Sequence, residues 1–145
     1  MIAYLDASAL VKRYVVEDGT VEIVALLNSG SVPCMARIGH VETASAIARR
    51  ARDGVLTVRQ RDQLLKRVAA DLAECRVVEL TSIISESSIR LLRKHPLRAA
   101  DSIHLASALW VRDDIDDEVR FVCADSALAR VAGAEGLDTL IPGSD

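Results

Sequence analysis

Apolar positions along the chain follow two alternating patterns: short continuous runs, and longer stretches in which apolar residues return every three or four positions. The short runs predict strands, and the longer stretches predict helices with one face on a core. Pro33 lies in the second run and indicates a weak or edge strand, because proline has no backbone N–H to donate. Strands are predicted at residues 2–5, 31–34, 77–80, 119–123 and 137–141.

Helices are predicted between these strands, and turn and capping residues mark their ends. Gly30 ends the second helix, Asp53-Gly54 ends the third, and Thr81 or Ser82 caps the fifth. His95-Pro96 breaks the chain before the sixth helix, and a polar loop is expected at residues 113–118. The predicted helices span residues 7–14, 21–28, 37–52, 58–72, 82–93 and 98–112, and a last one runs from residue 125 or 126 to Gly136.

Regular alternation of strands and helices predicts an α/β fold with a central, mainly parallel sheet flanked by helices. The 145 residues are expected to form a single domain, and they are enough to bury a sizeable core. In such folds, sites form outside the carboxyl ends of the strands. Asp6 and Asp125 each follow a predicted strand, so both are expected at that edge of the sheet. Helix capping is the alternative role for each of them.

Asp101 is harder to explain as an ordinary surface residue. On its helix it shares a face with Leu105 and Ala108, so its carboxylate is expected to lean toward the buried side. A buried carboxylate without a partner is costly. Arg98, three residues earlier, could be that partner in a structural ion pair, and this alternative stays open.

Glu42, His104 and Ser8 complete the set of candidate residues. Glu42 flanks the apolar stripe of its helix, one turn from Ile38 and Ala46, where a surface glutamate is the alternative. His104 lies one turn beyond Asp101 and is expected to be a packed or surface histidine rather than a metal ligand. Ser8 follows Asp6 by two residues, and either starts a helix or contacts a phosphate or a cation's water.

Electrostatics gives the joint argument for a metal site. Carboxylates about 4 Å apart repel by roughly 4 kcal/mol per pair at an effective dielectric of about 20. Three or four of them in one pocket are therefore reasonable only if a cation neutralises them. Oxygen ligands favour Mg²⁺ or Mn²⁺ over zinc. Such a cation holds a phosphate oxygen and lowers the pKa of a water.

The overall charge limits how the chain can meet nucleic acid. Its net charge is −3, so contact with a nucleic acid requires a local basic patch. Aromatic residues make up 3% of the sequence, which argues against a base-stacking platform. Solvated helix faces are the alternative explanation for each basic cluster. Two clusters occur, one of Arg49, Arg50, Arg52, Arg59, Arg61, Lys66 and Arg67, the other of Arg90, Arg93, Lys94 and Arg98.

The cysteines and the hydropathy pattern point to the cytoplasm. Cys34, Cys75 and Cys123 are odd in number and widely spaced, which supports neither a disulfide framework nor a zinc site. The chain enters a strand pattern at once, before a signal peptide could form. No segment approaches the ~18 apolar residues of a membrane span.

At its acidic residues the chain resembles the PIN-domain family, and within it the VapC-type toxins of bacterial toxin–antitoxin systems. The resemblance covers residues 2–142, and four acidic motifs occur in the family's order. They are residues 4–12 around Asp6, 40–46 around Glu42, 97–109 around Asp101 and 122–128 around Asp125.

The resemblance implies a three-layer PIN-like fold and a metal-dependent endoribonuclease that cuts single-stranded or loop RNA, leaving a 5′-phosphate and a 3′-hydroxyl. Asp6, Glu42 and Asp101 would be the main Mg²⁺ ligands, with Mn²⁺ a possible substitute. Asp125 would complete the site directly or through water, and Ser8 would support Asp6. A cognate antitoxin and a homodimer are also implied. One departure is Cys123, where many members carry Thr or Ser and where loss of the hydroxyl would weaken a supporting hydrogen bond or the occupancy of a second metal.

Two alternatives stand beside this interpretation. A haloacid-dehalogenase-like phosphohydrolase also has an aspartate after its first strand, but it needs a later lysine near the phosphate. No lysine follows Lys94, and Lys66 and Lys94 lie in amphipathic helical stretches. The other alternative is a PIN-like module that binds RNA or protein without cutting. It would tolerate loss of the acidic set, which is intact here.

Overall fold

A single five-stranded sheet forms the centre of the computed structural model, which describes residues 1–144. All four strand pairings are parallel, and the spatial order is β3-β2-β1-β4-β5. This confirms the predicted α/β class and parallel sheet. The strands are β1 (Ile2–Leu5), β2 (Val32–Ala36), β3 (Arg76–Val78), β4 (Val119–Val122) and β5 (Asp138–Leu140).

Helices connect the strands and cover both faces of the sheet. α1 is short and continues as a 3₁₀ turn over Val11–Arg13. The capping box of Thr57 and Gln60 starts α4. The Thr81 hydroxyl caps α5, which is one of the two caps predicted for that helix. The helices are α1 (Ala7–Leu10), α2 (Thr20–Asn28), α3 (Arg37–Arg52), α4 (Val58–Ala73), α5 (Ser82–Lys94), α6 (Ala99–Asp114) and α7 (Ser126–Ala134).

The core has two halves, one on each face of the sheet. α5, α6 and α7 pack on one face, where Leu105 lies near the Tyr4 and Phe121 rings. Those two rings stack with centroids 5.5 Å apart. On the other face, the side chains of α1 to α4, Ile47 among them, pack around Leu5. β1 is buried on both faces, which explains why its sequence is a continuous apolar run rather than an alternating one.

Pro33 does not mark an edge strand. β2 lies between β1 and β3, so the expectation of an edge was wrong. The register explains how proline is tolerated: β3 pairs with β2 only from Cys34 onward, while Pro33 faces Ala3 of β1. The missing N–H therefore lies where β2 has one neighbour.

Element ends differ from the predictions by a few residues. α6 continues to Asp114, so the loop predicted at 113–118 begins later; the backbone N–H of Ile115 still bonds the carbonyl of Val111. β2 extends to Ala36, because that residue pairs with Val78. In the part of the chain that the structure describes, no helix combines the length and the apolar character that a bilayer crossing requires.

Candidate active site

The carboxyl ends of β1 and β4 bring two of the candidate aspartates to one edge of the sheet. The strands are parallel neighbours, with Leu5 opposite Val122. Asp6 follows β1 directly, and Asp125 caps α7 just after β4. The N-terminus of α3 lies at the same edge, because α3 begins directly after β2. The N-terminus of α6 also lies there, since Arg98 at its start reaches Asp125. Glu42 lies early in α3, and Asp101 lies in the first turn of α6.

Asp6 is 5% exposed and is the most enclosed of the four acids. Its Oδ1 accepts a hydrogen bond from the Ser8 hydroxyl at 2.6 Å and from the Ala9 N–H at 3.0 Å. Burial raises the pKa of Asp6 above its ordinary 3.8; Ser8, His104 and the Ala9 N–H oppose that rise, and the Asp101 charge adds to it. Capping is thus one role of Asp6, and its Oδ2 has no hydrogen bond within residues 1–144.

Ser8 joins the two strand ends. Its hydroxyl donates to Asp6 and accepts from the Ala124 N–H at 2.9 Å. The residue therefore lies in the first turn of α1, where it holds the capping carboxylate of Asp6, and it also fixes the loop that carries Asp125. A phosphate contact is not needed to explain this side chain.

Asp101 and Asp125 share one cation, the guanidinium of Arg98. Arg98 Nε lies 3.1 Å from Asp101 Oδ2, and Arg98 Nη2 lies 4.0 Å from Asp125 Oδ2. The Arg98–Asp101 ion pair that the sequence offered is therefore present, and the inward lean of Asp101 is confirmed, since its side chain is 15% exposed. Asp125 is also a helix cap, because its Oδ1 accepts from the N–H groups of Ala127 and Leu128.

Glu42 is held by a buried histidine rather than lying free on the surface. Its Oε1 is 2.5 Å from His104 Nε2, and the other ring nitrogen, Nδ1, is 3.0 Å from the Tyr4 hydroxyl. That hydroxyl also accepts the Ala36 N–H at 3.2 Å. His104 is 1% exposed, so the expectation of a packed histidine is confirmed and the surface option is wrong.

The donor set fits a hard divalent cation in its chemistry, since all four candidates are carboxylates. As arranged across residues 1–144, however, no three His, Cys, Asp or Glu side chains are placed to hold a metal ion together. In this arrangement His104 holds Glu42, while Arg98 holds Asp101 and reaches toward Asp125. Arg98 thus places one positive charge beside Asp101 and Asp125, and no ion pair of Arg98 with Asp6 or Glu42 occurs within residues 1–144.

Cys123 lies beneath the carboxylates and is fully buried. Its thiol donates to the Asp125 carbonyl at 3.3 Å, so it supports the same loop that a hydroxyl would support. Burial, helped by the Asp6 charge, raises the pKa of this thiol to about 12. Without a metal ion nearby, the residue is therefore a neutral thiol at neutral pH.

An open groove leads away from Ser8 and Glu42 between α1 and α3. Its volume is about 700 Å³, and Lys12, Arg49 and Arg50 line its far part. Glu17 pairs with Lys12 at 3.2 Å and with Arg50 at 2.8 Å. Arg49 is exposed and has no ion-pair partner within the residues described. Arg98, from the second predicted basic cluster, lies beside Asp101. Each of the two predicted clusters therefore places at least one basic side chain near the acidic residues.

Comparison with known proteins decides the family. The PIN domain model matches residues 3–134, nearly the whole chain. The chain belongs to the PIN-domain family. It is 36% identical to "Ribonuclease VapC45" of Mycobacterium tuberculosis over 112 residues, which cover 77% of this chain and 78% of that protein. A phosphohydrolase of the haloacid-dehalogenase type is thereby excluded as the family.

Solved structures share the fold of this chain. "Structure of FitAB bound to IR36 DNA fragment" superposes with a TM-score of 0.73 at 14% identity, covering 99% of this chain and 97% of the other. Mycobacterium tuberculosis VapC20, described as a "Sarcin-Ricin loop cleaving toxin", gives 0.68 at 18% identity, with 97% and 99% covered. The predicted three-layer PIN-like fold is confirmed.

Sequence reasoning missed two features of the site. Tyr4 was assigned only to a strand, although a hydroxyl in a continuous apolar run is a signal that a buried hydrogen bond exists. The contact between His104 and Glu42 joins residues 62 positions apart, and local periodicity carries no information about it.

Proposed function

We propose that the protein is a Mg²⁺-dependent endoribonuclease and the toxin of a type II toxin–antitoxin system. The observation that carries the proposal is the gathering of four carboxylates from four separate elements at one edge of the sheet in a PIN-domain chain. Similarity to proteins named ribonucleases supports it. The pKa of Asp6 is raised mainly by burial and also by the Asp101 charge, which agrees with these two carboxylates lying at the same edge.

Asp6, Glu42 and Asp101 would hold the cation, and Asp125 would be the more peripheral fourth ligand. A bound divalent cation would polarise a phosphate oxygen and lower the pKa of a water. Ser8 and the Ala9 N–H fix one oxygen of Asp6, and the other has no hydrogen bond within residues 1–144 and would bind the cation. Arg98 is mostly exposed, so it can leave Asp101 and bind a phosphate of the RNA instead. Cleavage by an in-line water leaves a 5′-phosphate and a 3′-hydroxyl.

The groove beside Glu42 would hold the RNA backbone. Arg49 is exposed there, while Lys12 and Arg50 keep one edge of the groove positive despite Glu17. These contacts are to phosphates, so they position the strand without reading its bases. Loss of Arg49 should weaken binding evenly across sequences and flatten its salt dependence.

A protein partner follows from the same assignment. "Toxin-antitoxin complex from Klebsiella pneumoniae" superposes on this chain with a TM-score of 0.65. By analogy we propose a cognate antitoxin that covers the acidic edge, and a homodimer as the resting state of the toxin. A short open reading frame immediately upstream of the coding sequence would be the expected source of the antitoxin.

The test uses purified protein and a pool of structured RNA. Wild type should cleave the pool with Mg²⁺ and not with a chelator, and Asp101→Asn should lower the rate by at least about a hundredfold. Asp116→Asn, which neutralises an exposed aspartate elsewhere, is the control. An active Asp101→Asn variant, or a wild type that binds RNA without cutting it, would favour the non-catalytic PIN-like module instead.

A further inference from the structure

His104 is the centre of a hydrogen-bonded chain that ends on Glu42. The Ala36 N–H donates to the Tyr4 oxygen at 3.2 Å, the tyrosine hydroxyl lies 3.0 Å from His104 Nδ1, and His104 Nε2 lies 2.5 Å from Glu42 Oε1. Tyr4 and His104 are almost fully buried, whereas the Glu42 side chain is 33% exposed. The chain therefore runs from the sheet to the rim of the acidic edge.

Every group in this chain is satisfied when the imidazole carries its proton on Nε2. The tyrosine then donates to Nδ1, and the ring donates to the glutamate. No buried polar side-chain atom in the part of the chain that the structure describes is left without a partner. One oxygen of Glu42 is fixed in this way, and the other is left for a further contact.

The backbone of α3 is adapted to this ring. Gly39 is buried within the helix, where glycine is otherwise unfavourable. A Cβ at Gly39 would lie 3.3 Å from His104 Cε1, closer than ordinary packing. The ring also meets Tyr4 edge to face, with centroids 6.1 Å apart. Both packing and hydrogen bonds therefore fix the orientation of the imidazole ring. A histidine that only filled space in the core would not need a fixed orientation.

We propose that His104, held in turn by Tyr4, is a positioning residue that fixes Glu42 for cation binding. The proposal rests on the proposed function and adds a component to its site. A glutamate on a helix surface samples many rotamers, and the histidine removes that freedom before the cation arrives. Supporting partners of this kind typically change metal affinity by about 10–100-fold.

The test measures Mn²⁺ binding without RNA, by the paramagnetic signal of free Mn²⁺, together with thermal unfolding. His104→Phe should bind Mn²⁺ at least about tenfold more weakly, and His104→Gln, which keeps a donor, should restore most of the affinity. His95→Phe is the matched control. It breaks a similar pair, His95 Nε2 to Glu135 Oε1 at 2.7 Å, away from the acidic edge, and should leave Mn²⁺ binding unchanged.

Gly39→Ala provides a second variant in case His104→Phe fails to fold. It keeps every hydrogen-bonding atom but pushes the ring by a few tenths of an ångström, and a several-fold loss of Mn²⁺ affinity is expected. If wild type binds Mn²⁺ and His104→Phe binds it equally well, the positioning role of His104 is wrong, although the metal site stands. Gly39→Ala takes the place of His104→Phe in this comparison if that variant does not fold. A wild type that binds no Mn²⁺ would overturn the metal site and this proposal with it.

Discussion

Replacing Asp6 by Asn should make the metal-free protein more stable while it abolishes activity. The amide keeps an oxygen where Oδ1 accepts from Ser8 and the Ala9 N–H, so the cap of α1 survives. What disappears is a negative charge at a position that is 5% exposed and near Asp101. Asn also places its amide nitrogen at the position of Oδ2, which has no hydrogen bond within residues 1–144.

The gain in stability expected for Asp6→Asn is the difference between the cost of burying the Asp6 charge and the strength of its two hydrogen bonds. Removing an ion from water costs several kcal/mol after relaxation. The two hydrogen bonds to the charged oxygen are each stronger than neutral ones by about 1 kcal/mol, and they offset part of that cost. The raised pKa of Asp6 shows that the cost is the larger. We therefore expect Asp6→Asn to gain about 2 kcal/mol at neutral pH, or roughly 6 °C in Tm for a domain of this size.

The sign of the pH dependence gives a further check. A folded-state pKa raised above 3.8 means that the folded protein binds the proton more tightly, so wild-type stability falls as pH rises from 3.8 through the raised pKa. Asp6→Asn has no carboxyl group at this position, so its stability should not fall with pH in this way. The gap between the two proteins should be widest at neutral pH and should close below pH 3.8.

Thermal unfolding in a chelator, at several pH values, measures this effect. Asp116→Asn is the control, because Asp116 is exposed and should change the stability by less than about 0.5 kcal/mol. With Mn²⁺ at about 100 times its Kd, the order should reverse, because binding stabilises wild type by about 2.7 kcal/mol. The reasoning fails if Asp6→Asn is no more stable than wild type at neutral pH in the chelator.

Three further predictions concern the surroundings of Asp6. Ser8→Ala should lower the free energy of unfolding by about 2 kcal/mol, because loss of the hydroxyl removes a charge-assisted hydrogen bond to Asp6 and a hydrogen bond from the Ala124 N–H. A denaturant titration measures this, and a change below about 0.5 kcal/mol would contradict the prediction. Arg98→Ala should tighten Mn²⁺ binding a few-fold in the absence of RNA, since a competing cation leaves Asp101, and weaker binding would count against that role. Mn²⁺ affinity should fall as pH drops through the raised pKa of Asp6, because the ligand must be ionised; affinity that stays flat down to pH 3.8 would exclude Asp6 as a ligand.

The placement of Asp6 and Asp125 was predictable because it depends on a local rule. Each follows a strand, and the carboxyl ends of parallel strands share one edge. The inward lean of Asp101 was predictable for a similar reason, since helical periodicity fixes which residues share its face. Its pairing with Arg98 is also local, at a spacing of three residues.

Features that depend on tertiary contacts were not predictable in this way. The place of β2 inside the sheet depends on which strand pairs beside it, and Pro33 alone suggested an edge. The hydrogen bond between Glu42 and His104 depends on how α3 packs near α6. Glu17, which pairs with two of the groove cations, gave no signal in the sequence.

The most direct test of the central claim is sequencing of RNA 5′ ends in cells after the protein is induced. Wild type should create a small set of new ends that carry a 5′-phosphate, at sites in single-stranded or loop RNA. Asp101→Asn, expressed to the same level, should create none of them. Identical ends with both proteins, or no new ends with wild type while growth stops, would contradict a metal-dependent ribonuclease built on these four acids.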